Sequence, residues 1–164
     1  MPNKEFCECL QEIYQAEQMG EAAFGAMLRQ AETDEQKYIL GSLLQLETEG
    51  KAIMRPVLSR YSLDMHDDQQ SQEAGQAAST AMTQMTWVEG FGIMRDQIVS
   101  MYLPKYLELA TLVSEKEDPE AAKVAKFMGE HERVVLAAAE NIVAGRDDPI
   151  APVREFLHFP LARA

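Results

Sequence analysis

Glutamates and one histidine recur near the middle of helical segments, where a cation or a proton could be held. Glu21 lies in the first such segment, Glu47 in the second and Glu89 in the third, and the fourth carries the run Glu130-His131-Glu132. A carboxylate is costly to bury without a partner, because the protein interior solvates charge poorly. We therefore expect carboxylates that face a helix interface to bind a cation, pair with a base or hold a proton.

The first two segments have the hydrophobic periodicity of helices. One runs from about residue 4 to 31, and its apolar seam is interrupted only by Glu17 and Gly20. The other runs from about residue 35 to 61 after a capping residue at Thr33 or Asp34. Its Pro56 predicts a kink or a local end.

The third and fourth segments show the same periodicity. The third begins at about Trp87, places Met101 on its apolar stripe and is expected to bend at Pro104. The fourth begins with Asp118-Pro119, an N-cap followed by proline at the first helical position, and ends near Gly145. The tail, residues 146–164, could add one short helix.

The connection lengths predict how these helices are arranged. Short links join the first helix to the second and the third to the fourth, so each pair is expected to be antiparallel. The link over residues 62–84 is long enough to travel the length of a bundle, and it is expected to be helical in part after Ser71. The sequence thus predicts one all-α domain over residues 1–164: a four-helix bundle at about 4–145, built from two hairpins and one crossover.

The chain resembles the ferritin-like superfamily, in particular its small rubrerythrin-like and aldehyde-deformylating-oxygenase-like di-iron members. The resembling pieces are Glu21-Ala22-Ala23-Phe24, Leu46-Glu47-Thr48-Glu49-Gly50, Trp87-Val88-Glu89-Gly90-Phe91 and Glu130-His131-Glu132-Arg133-Val134-Val135. Such proteins hold two iron or manganese ions with one Glu from each of two helices and a Glu-x-x-His motif from each of the other two. The resemblance therefore implies a two-ion site whose metal ligands are Glu21, Glu47, Glu89, His131 and Glu132.

This ligand set departs from the family pattern at its histidines. The Glu-x-x-His of the second helix would need histidine where Gly50 stands, and that of the fourth would need histidine where Val135 stands. If His131 is instead the family histidine, Met128 occupies the position of its carboxylate. Water could complete the coordination of a bound metal, or the residues could be the remnant of a lost site.

Composition excludes several partners and favours one location. Fifteen Lys and Arg against 27 Asp and Glu give a net charge of −12, which repels nucleic acids and anionic membranes. Cys7 and Cys9 are the only cysteines, and we expect them to be reduced thiols. The N-terminus lacks the apolar core of a signal peptide, so the expected location is the cytoplasm. Wide apolar stripes on the first two helices favour a homodimer.

Three functions are compatible with these residues. The first is a di-metal oxidase or oxygenase that acts on a small organic molecule. The second is a metal-free, degenerate ferritin-like scaffold that binds a small apolar ligand or a partner protein. The third, iron storage, is the weakest because it needs self-assembly surfaces that the sequence does not indicate.

Overall fold

A computed structural model describes residues 3–163, and these residues form helices and no β-strand. This confirms the predicted all-α class. The α-helices are α1 (Lys4–Leu28), α2 (Asp34–Arg60), α3 (Gln69–Met82), α4 (Trp87–Gln97), α5 (Leu103–Leu109), α6 (Pro119–Val143) and α7 (Ala151–Phe156), and a π-helical segment (Ile98–Tyr102) joins α4 to α5.

The helix ends follow the local signals in the sequence. Thr33 forms a capping box with Gln36 at the start of α2, and the side chain of Asp118 accepts a hydrogen bond from the Ala121 N–H at the start of α6. Gly145 follows α6 with a φ of +66°, a conformation that glycine adopts without steric cost. The expected start of the fourth helix and its glycine stop are both confirmed.

The third segment differs from its prediction. Pro104 does not sit inside a bent α-helix but near the start of α5, directly after the π-helical segment. Proline has no N–H to donate to a preceding carbonyl group, so it is tolerated near the start of a helix. The extra residue of the π-turn changes the direction of the helix just before that start. Met101 is consequently 62% exposed, so its expected place in the apolar core is wrong. Pro56, by contrast, lies inside α2, which continues to Arg60.

Helix α1 packs against α2, α3 and α5, and α6 packs against α2, α4, α5 and α7. Helix α3 begins at Gln69, within the long link, and lies along α1. At Gly75 a Cβ atom would overlap with the Met19 carbonyl, so this glycine permits the close approach of the two helices. Every helix of the described residues is too short or too polar to cross a bilayer.

The apolar core is divided into two parts. One part contains Phe24, Leu43, Phe91 and Val135, among others; the other contains Phe6, Ile13, Met54, Tyr106 and Met128, among others. Along α1, α2 and α6 the two parts are separated by short stretches that carry buried polar side chains: Glu17, Glu47, His131 and Glu132.

Candidate metal centre

Three buried side chains from three helices meet between the two halves of the core. Glu17 of α1, Glu47 of α2 and His131 of α6 each offer one ligand atom, and these atoms all lie within 4.8 Å of one another. The exposed fractions are 0%, 5% and 0%, respectively. We call these three residues the carboxylate–histidine cluster. Two oxygen donors and one imidazole nitrogen are a donor set that suits iron or manganese.

Two glycines provide the space for the carboxylates. A Cβ atom at Gly20 would overlap with the Glu47 carboxylate, and one at Gly50 would overlap with Glu17 Oε2. The same Cβ at Gly50 would lie 3.1 Å from His131 Nε2. The position where the family motif would carry histidine therefore holds the Glu17 carboxylate, which reaches across from α1.

The hydrogen bonds of the cluster are incomplete. The Tyr106 hydroxyl donates to Glu17 Oε1 at 2.6 Å, but Glu17 Oε2 has no hydrogen-bond partner although it lies 3.2 Å from His131 Nε2. His131 Nε2 also lies 3.2 Å from the Leu46 carbonyl oxygen, and His131 Nδ1 has no hydrogen-bond partner. An unpaired buried oxygen beside an imidazole is unusual in folded proteins, and a bound cation would satisfy it.

Burial changes the protonation of all these groups. Desolvation, followed by the charges of neighbouring carboxylates, raises the pKa of Glu47 well above its usual range. Desolvation likewise raises the pKa of Glu17, against the opposing hydrogen bond from Tyr106. Burial lowers the pKa of His131 to about 4. Without a cation, burial therefore favours the neutral form of each of these three groups.

Aromatic rings fix the orientation of His131. The Tyr106 ring stacks on the imidazole at 6.4 Å between centroids, and the Phe156 ring of α7 meets it edge-on, also at 6.4 Å. Phe127 lies 6.5 Å away. Rings on three sides limit the rotation of the imidazole and keep Nε2 beside Glu17 Oε2, and a metal ligand requires such a fixed orientation.

Glu132 lies beside the cluster and lines an apolar pocket. Its side chain is buried, and burial raises its pKa to about 8. The pocket has a volume of about 280 Å³ and is enclosed by α1, α3, α4, the π-helical segment and α6. Glu47 also lines the pocket. The cluster is thus accessible from an apolar space.

Glu21 is outside the cluster. Its carboxylate forms an ion pair with the buried Lys51 and accepts a hydrogen bond from the Thr48 hydroxyl at 2.7 Å. Its side chain is 29% exposed. One turn of α1 before it, Glu17 takes the place expected for Glu21, because Glu17 and not Glu21 lies on the apolar seam.

Glu89 does not face the cluster either, and the expectation that it does is wrong. It is exposed, and its carboxylate accepts hydrogen bonds from the Thr86 N–H at 2.9 Å and the Thr86 hydroxyl at 2.7 Å. Thr86 and Glu89 form the capping box that starts α4. The spacing Thr-x-x-Glu is the sequence signature of that motif and would have identified this role.

Of the five residues predicted as metal ligands, the structure therefore brings Glu47, His131 and Glu132 together and leaves Glu21 and Glu89 apart. The sequence places Glu17 on the apolar seam of the first helix, but Glu17 was not among the predicted metal ligands. Comparison with family models, with curated proteins and with solved structures found no match for this chain.

Proposed function

We propose that this protein binds an iron or manganese ion through Glu17, Glu47 and His131 and oxidises a small organic molecule with dioxygen. The observation that carries the proposal is the burial of these three ligand groups within 4.8 Å, with Glu17 Oε2 left unpaired. A bound ion with open coordination positions would supply dioxygen activation. The chain itself supplies the ligands, their orientation and an apolar approach.

The proposal is for one ion, where the family resemblance implies two. A pair of ions in that family needs histidines at two positions, which are Gly50 and Val135 in this chain. The carboxylate–histidine cluster holds three ligand groups, enough for one ion with water in the remaining positions. Glu132 is the residue through which a second ion would have to bind.

Three features of the surroundings support a working site. The Tyr106 hydroxyl holds one oxygen of Glu17 and so turns the other oxygen toward His131. The aromatic rings around His131 limit its rotation. The pocket that reaches Glu47 has mostly apolar walls, which suit the apolar part of an organic molecule.

We also propose that the fold is of the ferritin-like type. The contacts of α1 with α2 and of α6 with α4 and α5 support two hairpins, and those of α1 with α5 and of α2 with α6 support their association. In this arrangement α3 belongs to the crossover between the hairpins.

A metal-free scaffold is the second candidate. It is favoured by the raised pKa values of Glu17 and Glu47, because protonated carboxyls can remain buried without a cation. In that case the apolar pocket would hold a ligand beside a neutral cluster that performs no chemistry.

Anaerobic loading with Fe(II) or Mn(II) separates the two candidates. The proposal predicts about one ion per chain after removal of free metal, and faster dioxygen uptake by the Fe(II)-loaded protein than by the same concentration of free Fe(II). His131→Gln should lose the metal, whereas His158→Gln, which changes a half-exposed histidine outside the cluster, should retain it. A wild-type protein that is folded and holds no ion would support the metal-free scaffold instead.

A further inference from the structure

The apolar pocket has one polar end. Its exposed wall residues include Met85 and Ile93, whereas Glu47 and Glu132 are buried, so the two carboxyl groups lie at the inner end. The walls between consist largely of methionine, alanine and other apolar side chains, among them Met19, Phe24, Met82, Met94 and Ile98. The pocket is thus largely apolar, with two carboxyl groups at its buried end.

Glu132 has no partner in the part of the chain that the structure describes. No hydrogen bond or ion pair reaches its carboxyl group, although the side chain is only 6% exposed. The nearby charged side chains are already paired: Lys51 with Glu21, and Arg133 with the exposed Glu130. A buried carboxylate that no cation of the chain neutralises leaves a place for a cation from outside.

The geometry favours an amine as the head group of the bound molecule. The Glu132 carboxyl group lies in a largely apolar lining and has no hydrogen-bond donor within the described residues. An ammonium group supplies both a positive charge and N–H donors, which a carboxyl group in such a place lacks.

We propose that this pocket binds a small organic cation, with its ammonium group at Glu132 and its apolar body against the methionine-rich walls. The inference rests on the proposed function in that such a molecule would be the substrate, but the binding can be measured by itself. The pocket volume of about 280 Å³ corresponds to about nine water molecules, and a short alkylamine has about the same number of non-hydrogen atoms. An anionic head group would be repelled by the acids at the inner end.

A series of matched six-carbon probes tests the inference by calorimetric titration. Hexylammonium, hexanol and hexanoate share the apolar body and differ in the charge of the head group. We expect hexylammonium to bind wild-type protein about tenfold or more tighter than hexanol, the size of one hydrogen bond to a charged group, and hexanoate to bind more weakly than either. Equal affinity for hexanol and hexylammonium would overturn the inference.

Two variants test the role of Glu132 itself. Glu132→Gln should bring the affinity for hexylammonium down to that for hexanol, with hexanol binding unchanged. Glu130→Gln removes the same charge from the preceding exposed position of α6 and should leave both affinities unchanged. If Glu132→Gln binds hexylammonium as wild type does, or if a second Mn(II) ion binds wild type and is lost in this variant, the inference is wrong.

Titrations of metal-free and Mn(II)-loaded protein distinguish the two proposals. Tight binding of Mn(II) without preference for the ammonium probe counts against the inference alone. Preference for the ammonium probe in a protein that never binds Mn(II) or Fe(II) supports the cation site and counts against the proposed function alone.

Discussion

Glu47 and Glu49 are two buried carboxylates on the same helix, and their surroundings are opposite. Glu49 accepts the backbone N–H groups of His158 and Phe159 at 2.8 and 2.9 Å, and the side chains of Gln45 and His158 at 3.1 Å each. Glu47 has no hydrogen bond within the described residues and faces Glu17, His131 and the apolar pocket.

The different surroundings of Glu47 and Glu49 shift the pKa values of the two carboxyl groups in opposite directions. Burial alone would raise the pKa of Glu49, but the hydrogen bonds from His158, Phe159 and Gln45 outweigh it and lower that pKa below its usual range. The pKa of Glu47 is raised because no donor offsets its desolvation and the neighbouring carboxylates repel it. Glu49 is thus a structural carboxylate that holds the tail, whereas Glu47 is free to take a ligand.

Metal binding should separate the two residues by the largest margin. Glu47→Gln replaces a metal ligand by a neutral amide, and we expect Mn(II) affinity to fall about 100-fold or more. Glu49→Gln makes the same change two residues away and should leave the affinity within about twofold. Equilibrium dialysis against Mn(II) measures both, and equal losses would remove the distinction between the two sites.

The pH dependence of stability should have opposite signs in the two regions. A carboxyl whose folded pKa is raised binds more protons in the folded state, so the metal-free protein should lose stability as pH rises from the unfolded value near 4.5 to the folded value, about 8 for Glu132. His131, whose pKa is lowered to about 4, acts in the opposite sense, and its effect is nearly complete about one pH unit above its unfolded value of 6.5. Glu49, whose pKa is lowered, contributes stability above pH 4.5 that is lost as pH falls below it.

Urea unfolding in the presence of a chelator measures the first of these trends. A carboxyl that stays protonated only in the folded state lowers the free energy of unfolding by about 1.4 kcal/mol per pH unit, and this slope fades near the folded pKa of Glu132, about 8. Between pH 6.5 and 8 we therefore expect a loss of about 1–2 kcal/mol. Glu132→Gln should reduce the slope. A free energy of unfolding that is constant or increases over this interval would contradict the assigned protonation.

Glu47→Gln and Glu49→Gln should change the free energy of unfolding of the metal-free protein in opposite directions at pH 8. Glu49→Gln weakens charge-assisted hydrogen bonds to two backbone N–H groups, and we expect it to destabilise by about 1–2 kcal/mol. Glu47→Gln removes a carboxyl that must take up a proton to be buried, and it should stabilise the metal-free protein. Thermal unfolding in a chelator compares the two, and destabilisation by Glu47→Gln would show that its carboxyl makes a structural contact.

Adding a methyl group at Gly50 should disturb the cluster selectively. Gly50→Ala places a Cβ atom where Glu17 Oε2 lies, so we expect Mn(II) affinity to fall about tenfold, on the scale of disturbed ligand orientation. Gly92→Ala is the matched control, because a Cβ atom there meets nothing within 4 Å. It should leave Mn(II) affinity unchanged and stabilise α4 by up to about 1 kcal/mol. Equal effects of the two variants on affinity would show that Gly50 has no special role.

The sequence was sufficient for the parts of this structure that depend on neighbouring residues. Periodicity and caps predicted α1, α2 and α6, and the glycine after α6, because these signals act within a few residues. The π-helical segment was not predicted, because an α-helical periodicity contains no signal for one extra residue in a turn. Met101 lies within that segment, where the spacing of an α-helix does not hold, and it was therefore wrongly assigned to the core.

The candidate site was predictable only in part, for a similar reason. Glu47 and His131 lie on or beside apolar stripes, so their burial followed from the pattern. Glu17 also lies on its stripe, but only the crossing of α1, α2 and α6 shows that it meets the other two. The role of Glu49 could not be predicted, because it depends on hydrogen bonds from His158 and Phe159, which are far away in the sequence.

Anomalous X-ray scattering from a crystal of the Mn(II)-loaded protein tests the central claim most directly. The account predicts one manganese peak per chain, in direct coordination with Glu17, Glu47 and His131, and no peak at Glu49. A peak elsewhere, or loaded protein with no ordered manganese between these three residues, would contradict it.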